Sequence, residues 1–217
     1  MSSATTARAP RMSGEQRREQ ILAAALAVFA AGGYDGTTTD QVARAAGVSQ
    51  PYVVRLFGSK QQLFLELYRS VTDRVLEAMA AVEPGPDAAA RVGRAYIALM
   101  ADRDLLRVLM HGFIAGDDEI GTLARRTLGE VFRMFRVQVA DEVAQGSAAG
   151  GAQGSADGGE QDTAEEADEA ARRFVADGML INVLLAVDAF GHQGDDPGVD
   201  ALLQCLGEEA IAAGVTR

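Results

Sequence analysis

Apolar positions recur along this chain every three or four residues, almost from end to end, which is the period of a helix face. Ile21, Ala25, Val28, Phe29 and Gly32 share one stripe and predict a first helix over 13–32. Ser13 and Gln16 have the spacing of a capping box at its start. Val42, Ala43 and Ala46 mark a second, short helical face. It follows Thr37, Thr38 and Thr39, whose hydroxyls suit the free N–H groups of a helix start, and stops at Gly47, which takes a left-handed backbone cheaply. Ser49 then serves as the next N-cap, with Pro51 in the first turn, where a missing N–H costs nothing. Val53, Leu56 and Phe57 give this third helix an apolar side and leave Gln50, Tyr52 and Arg55 pointing outward. A helix, a tight turn and a second helix exposing Gln, Tyr and Arg have the shape that fits a DNA major groove.

Leu63, Phe64, Leu67, Val71, Val75 and Met79 carry the next stripe, on a helix opened by Lys60 after Ser59 and stopped by Glu83-Pro84-Gly85-Pro86. Helical patterns continue over 88–101, 102–115, 117–145, 162–190 and 199–213. In the third of these, Arg125, Arg126, Arg133 and Arg136 fall opposite the apolar side. The expected fold is all-α. Its expected parts are a flexible basic arm (1–12), a three-helix helix-turn-helix domain (13–60), a connector helix (61–83) and a helical body (84–217). Residues 144–159 are a tandem repeat, A-Q-G-S-A-A-G-G followed by A-Q-G-S-A-D-G-G, with no apolar side chain larger than Ala. Such a segment builds no core, so 144–161 is expected to be a mobile, disordered insertion loop. The acidic start of the 162–190 helix (Asp162, Glu165, Glu166, Asp168, Glu169) opposes the positive end of the helix dipole; with no His or Cys nearby it does not read as a metal site.

Composition changes this picture in two places. The 217-residue chain has a formal net charge of −11, which looks wrong for a DNA binder. The charge is unevenly spread: nine basic against seven acidic groups up to residue 80, and eleven against twenty-four beyond it. A weakly basic head on an acidic body presents one end to phosphate. The single Cys205 allows no internal disulfide, reads as a buried small hydrophobe, and fits a reducing compartment. An apolar content of 48% with 24% charged residues describes a soluble globular protein, and no run approaches a membrane span. Arg8 and Arg11 are followed by no apolar run, so the start does not read as a signal peptide; the expected location is cytoplasmic.

The pieces I-L-A-A-A-L-A-V-F-A-A-G-G-Y-D-G-T-T (21–38), Q-V-A-R-A-A-G-V-S (41–49) and L-F-G-S-K-Q-Q-L-F (56–64) arrive in the order and spacing of one family. Over roughly its first 70 residues the chain resembles the N-terminal domain of the tetracycline-repressor-like (TetR) family of bacterial transcription regulators. The resemblance implies a ligand-responsive dimeric repressor that binds a palindromic double-stranded DNA operator. Thr38, Thr39, Ser49, Gln50, Pro51, Tyr52, Arg55 and Lys60 are then the expected DNA-contacting set. Thr38 stands where family members hold phosphate, and Lys60, the only lysine, is an expected phosphate contact. Family members usually carry aromatics at the positions of Val54 and Leu56, both aliphatic here. Arg17 and Arg18 read either as approaching the DNA backbone or as a solvated face.

The same resemblance implies a homodimer built on the last two long helices, through Leu180, Val183, Leu184, Val187, Leu202, Leu203 and Leu206. It also implies a pocket in the body for a small apolar or aromatic ligand, with Tyr96, Met100, Met110, His111, Phe113, Phe132, Phe135, Phe174, Met179 and Asn182 as candidates. No cofactor is expected. Catalysis is not expected either: there are two histidines, His111 and His192, and no G-x-S-x-G, H-E-x-x-H, P-loop or G-x-G-x-x-G. The alternative reading is a helical protein-interaction module that does not bind DNA.

Overall fold

The computed structural model of the chain describes residues 12–83, 85, 87–114, 119–149 and 156–204. The described residues form helices α1 (Gly14–Gly36), α2 (Thr39–Ala45), α3 (Gln50–Phe57), α4 (Lys60–Ala80), α5 (Ala88–Met100), α6 (Arg103–Ile114), α7 (Glu119–Ala149), α8 (Ala156–Ala186) and α9 (Pro197–Gln204), with a 3₁₀ turn at Ala189–His192. The chain divides into two compact units, Met1–Leu67 and Tyr68–Arg217, so the division falls inside α4. The sequence pattern had instead placed the body from residue 84, because Pro and Gly mark where a helix stops, whereas the division follows which core each turn of α4 enters.

In the first unit, α1 starts as its sequence dictates. The Ser13 hydroxyl accepts from the Gln16 N–H, and the Gln16 side chain accepts from the Ser13 N–H. The helix is interrupted at Gly33, whose φ of 67° is left-handed. Ile21, Ala25 and Phe29 are fully buried, with Val42, Val53, Leu63 and Phe64 packed in the same core. The ring of Phe64 meets those of Phe29 (4.9 Å) and Tyr34 (5.2 Å) edge-on.

In the second unit, α7 and α8 form the most extensive helix pair. Phe135 stacks on Phe174 at 4.0 Å, and Arg136 pairs with Asp168. Later residues of α7 thus meet earlier residues of α8, as in an antiparallel hairpin. Gln138 of α7 donates to the carbonyl oxygen of Met79 at 2.9 Å, satisfying an acceptor at the C-terminal end of α4.

Four expectations are corrected here. The repeat is not a loop throughout: α7 runs to Ala149 and α8 begins at Ala156, leaving 150–155 outside the described residues. The absence of large apolar residues limits packing, but Ala and Gln are compatible with helix, and extending an existing helix is far cheaper than nucleating one. The acidic run at 162–169 therefore lies inside α8 rather than at its start, where Asp168 pairs with Arg136 and Glu169 with Arg172. Arg136 in turn faces α8 and is half-buried, not on a solvent side. Finally, α8 ends at Ala186 rather than at Phe190. Asp188 takes a left-handed backbone (φ 55°), held by Arg103 of α6 at 2.6 Å. The basic arm lies outside the described residues except for Met12, as do Cys205 and Leu206.

Candidate DNA-binding head and body cavity

The helix-turn-helix is built by local chemistry. Thr38 is the N-cap of α2 and forms a reciprocal capping box with Gln41. Thr37, one residue earlier, is buried instead and donates to the Val28 carbonyl at 3.3 Å. Its neighbour across the loop is Gly32, where a Cβ would fall 2.8 Å from the Thr37 hydroxyl oxygen. Gly47 turns the chain with φ 65°, and Ser49 enters α3. Ser49 has the extended backbone of an N-cap, but its hydroxyl makes no capping bond; its carbonyl accepts from the N–H groups of Tyr52 and Val53.

Along α3, Val53 and Phe57 are buried while Gln50, Pro51, Val54 and Arg55 are exposed. Gln50 donates to the Thr39 hydroxyl at 3.3 Å, tying the start of α3 to that of α2. The Arg55 guanidinium lies over the Tyr52 ring, 5.0 Å from its centroid. Thr38, Gln50 and Arg55 are thus exposed together with the aliphatic side chains of Pro51 and Val54.

Two expected contacts are placed differently. The Lys60 ammonium donates to the Tyr34 carbonyl at 2.9 Å and lies 4.5 Å above that ring's centroid. It clamps the end of α1, just past the Gly33 interruption, and is only partly free to meet a phosphate. Arg18 makes a two-pronged ion pair with Glu66, donates to the Leu56 carbonyl at 3.4 Å, and sits 4.7 Å from the Phe57 ring centroid. It locks α1 to α3 and α4. Arg17 donates to Gln20 within α1.

The body holds a small, partly open apolar cavity. Val75, Tyr96, Leu109, Phe113, Thr127, Leu128, Val131, Phe174, Val175, Gly178 and Met179 line it. Tyr96, Phe113, Phe174 and Met179 were expected there. Met100, Met110, His111, Phe132, Phe135 and Asn182 do not line this cavity. Met100 and Phe135 are buried in the core, and Asn182 stands behind Tyr96, accepting from its hydroxyl at 2.8 Å. The aliphatic side of the cavity escaped the sequence reading because Leu and Val at helical spacing look the same whether they face a neighbour or a void. Burial pushes the Tyr96 hydroxyl up to about 12, against a smaller opposing effect of its bond to Asn182. Burial likewise raises the Tyr68 hydroxyl.

Of the expected dimer residues, Val183, Val187 and Leu202 are 46, 64 and 44% exposed. Leu184 and Leu203 are buried within the chain itself, and Leu180 is half-buried. No helix among the described residues is long and apolar enough to cross a membrane.

These features define a helix-turn-helix protein with a helical second unit. Residues 21–67 match the sequence model of the family described as "Bacterial regulatory proteins, tetR family". The match lies within the helix-turn-helix domain, and it is this domain that is similar to that family. It is 36% identical over 69 residues to the HTH-type transcriptional activator FasR of Mycolicibacterium smegmatis, a match covering 32% of each protein. The chain thus spans about a third of the length of that relative. A TetR-like transcriptional regulator from Rhodococcus sp. RHA1 shares the fold at 20% identity, with a TM-score of 0.63 over 95% of this chain and all of that one. AibR, solved in complex with isovaleryl coenzyme A and operator DNA, superposes with a TM-score of 0.57 at 16% identity, over 76% of this chain and 85% of AibR.

Proposed function

We propose that this chain is a sequence-specific, DNA-binding transcription regulator whose affinity for its operator responds to a small molecule bound in the body. The observation that carries the reading is the exposed face of α3, positioned by the Gly47 turn and the two N-caps and offering Gln50, Val54 and Arg55 together. Each suits a base edge: Arg for guanine, Gln for adenine, and an aliphatic group for the thymine methyl. Thr38 and Tyr52 suit phosphate oxygens, and the free donors of Lys60 add charge nearby. A homodimer would join copies through the exposed apolar residues Val183 of α8, Val187 just after its end and Leu202 of α9, so that two heads meet two half-sites of a palindrome. The ligand regulates DNA binding only to the extent that it prefers one of the protein's two states. The regulator works in the cytoplasm, where its DNA is, and performs no catalysis.

Selection of bound sequences from a random duplex pool tests this, with Arg55→Ala as control. A palindromic consensus that disappears with the variant is the expected result. No enrichment by the wild-type chain, with or without a ligand library, would favour the protein-interaction module instead.

A further inference from the structure

Of the described arginines of the first unit, Arg17, Arg18 and Arg44 are already engaged by the protein. Arg17 donates to Gln20 at 3.0 Å, Arg44 pairs with Asp40 at 2.8 Å, and Arg18 is held by Glu66 and by the Leu56 carbonyl. Arg55 is different. It is exposed on α3, and among the described residues no carbonyl or carboxylate takes up its N–H groups. What it does meet is the ring of Tyr52, with the guanidinium carbon 5.0 Å from the ring centroid.

The kind of contact decides what is left over. A guanidinium is a planar fork with five N–H donors. An ion pair would consume some of them, as it does at Arg18 and Arg44. Attraction to the negative face of an aromatic ring is electrostatic and needs no acceptor, so the donors of Arg55 remain available. The contact also restrains a long side chain that would otherwise lose its rotamer freedom on meeting a base. Tyr52 is well placed to do this. It stands three residues before Arg55, which makes the two neighbours on the helix surface, and it is half-buried, so its ring is a less mobile platform than an exposed one. Guanine presents O6 and N7 side by side, and a fork held in place meets both at once.

We propose that Tyr52 is the positioning residue for Arg55: its ring holds the guanidinium on the exposed face of α3, ready for a bidentate contact to one guanine of the bound site. This rests on the reading of the chain as a sequence-specific DNA binder and narrows what it reads. The role belongs to the ring; the hydroxyl stays available for a phosphate oxygen.

Two duplexes test it. One is the consensus selected by the wild-type chain from a random pool. The other is the same duplex with adenine·thymine in place of the guanine·cytosine pair whose enrichment disappears with Arg55→Ala. Binding isotherms of the full chain give the ratio of the two affinities, which should be about tenfold in the wild type, within the worth of one bidentate pair. Tyr52→Phe retains the ring and should retain that ratio. Tyr52→Leu removes the ring and should cut the ratio to about threefold or less, with the salt dependence of binding unchanged because the arginine charge is still present. A further readout needs no change at Tyr52. In the free wild-type chain the Arg55 Nε–H resonance, assigned by its absence from Arg55→Ala, should be shifted upfield by the ring current of Tyr52. A wild-type ratio in Tyr52→Leu, an equal loss in Tyr52→Phe, or an unshifted Nε–H would overturn the positioning role while leaving sequence-specific binding intact. A consensus in which no guanine depends on Arg55 would overturn guanine as the target. Absence of any enriched sequence would overturn the DNA-binding reading itself, and this inference with it.

Discussion

Gly112 and Tyr68 share one space in the second unit. A Cβ built on Gly112 would lie 2.1 Å from the Tyr68 ring, nearer than any real contact permits. Gly112 is in the last turn of α6, where glycine still gives up some helix propensity relative to alanine, so the sequence yields propensity to seat the ring. Gly112→Ala should nevertheless destabilise the chain by about 1–3 kcal/mol, because the fully buried tyrosine has no room to yield. Adding Tyr68→Leu should return part of the loss, since the two residues are coupled. Denaturant titration of the single and double variants reads this. A Gly112→Ala chain more stable than wild type would show that Tyr68 moves freely.

How far such features can be read from sequence depends on whether they are local. The caps at Ser13 and Thr38, the turn at Gly47 and the outward set on α3 were all legible, because each is decided by residues within one or two turns. The roles of Arg18, Lys60 and Arg136 were not. Their partners Glu66, Tyr34 and Asp168 are 48, 26 and 32 positions away, and no helical period reveals them. Charge suggested phosphate for Lys60, whereas a carbonyl and an aromatic ring take up much of its ammonium. The end of α8 was missed for the same reason, since the left-handed Asp188 is held by an arginine on another helix.

Lys60 and Arg55 should separate cleanly. Arg55 is exposed and touches only the Tyr52 ring in the described contacts, so Arg55→Ala should weaken operator binding by about 1–3 kcal/mol and leave the melting temperature unchanged. Lys60→Ala should lower both, because it also releases the end of α1 at Tyr34. Melting curves together with binding isotherms at several salt concentrations distinguish them. A Lys60→Ala chain with unchanged melting temperature would leave phosphate contact as its only role.

Val54 is 38% exposed on the face that carries Gln50 and Arg55. If it meets a thymine methyl, replacing thymine by uracil at one operator position should weaken binding severalfold in the wild-type chain and have no effect in Val54→Ala. Scanning uracil through the selected operator measures this. Equal affinity for every uracil-substituted operator would remove Val54 from base reading.

Val183 lies in the last turn of α8 and Val187 follows directly after the helix, its N–H bonded to the Val183 carbonyl at 3.1 Å; both valines are exposed, at the end of a long helix that buries its other side. Val187→Glu should convert a dimer into monomers in sedimentation experiments and cost most of the operator affinity, because two half-sites would no longer be held by one particle. A wild-type chain that sediments as a monomer at micromolar concentration would sink the dimer.

The two buried tyrosines give the body an alkaline limit. Free tyrosine ionises near 10, while burial pushes Tyr96 to about 12 and also raises Tyr68. The folded chain therefore holds these protons more tightly than the unfolded chain does. Their contribution to stability is complete below about pH 10 and is lost as pH rises towards the folded value, where the unfolded state gains by ionising first. Stability against urea should fall between about pH 10 and 12, and Tyr96→Phe should make that fall shallower without changing its onset from Tyr68. An identical slope in the variant would mean that the Tyr96 hydroxyl ionises as readily in the folded chain as in the unfolded one, and that its bond to Asn182 opens to solvent.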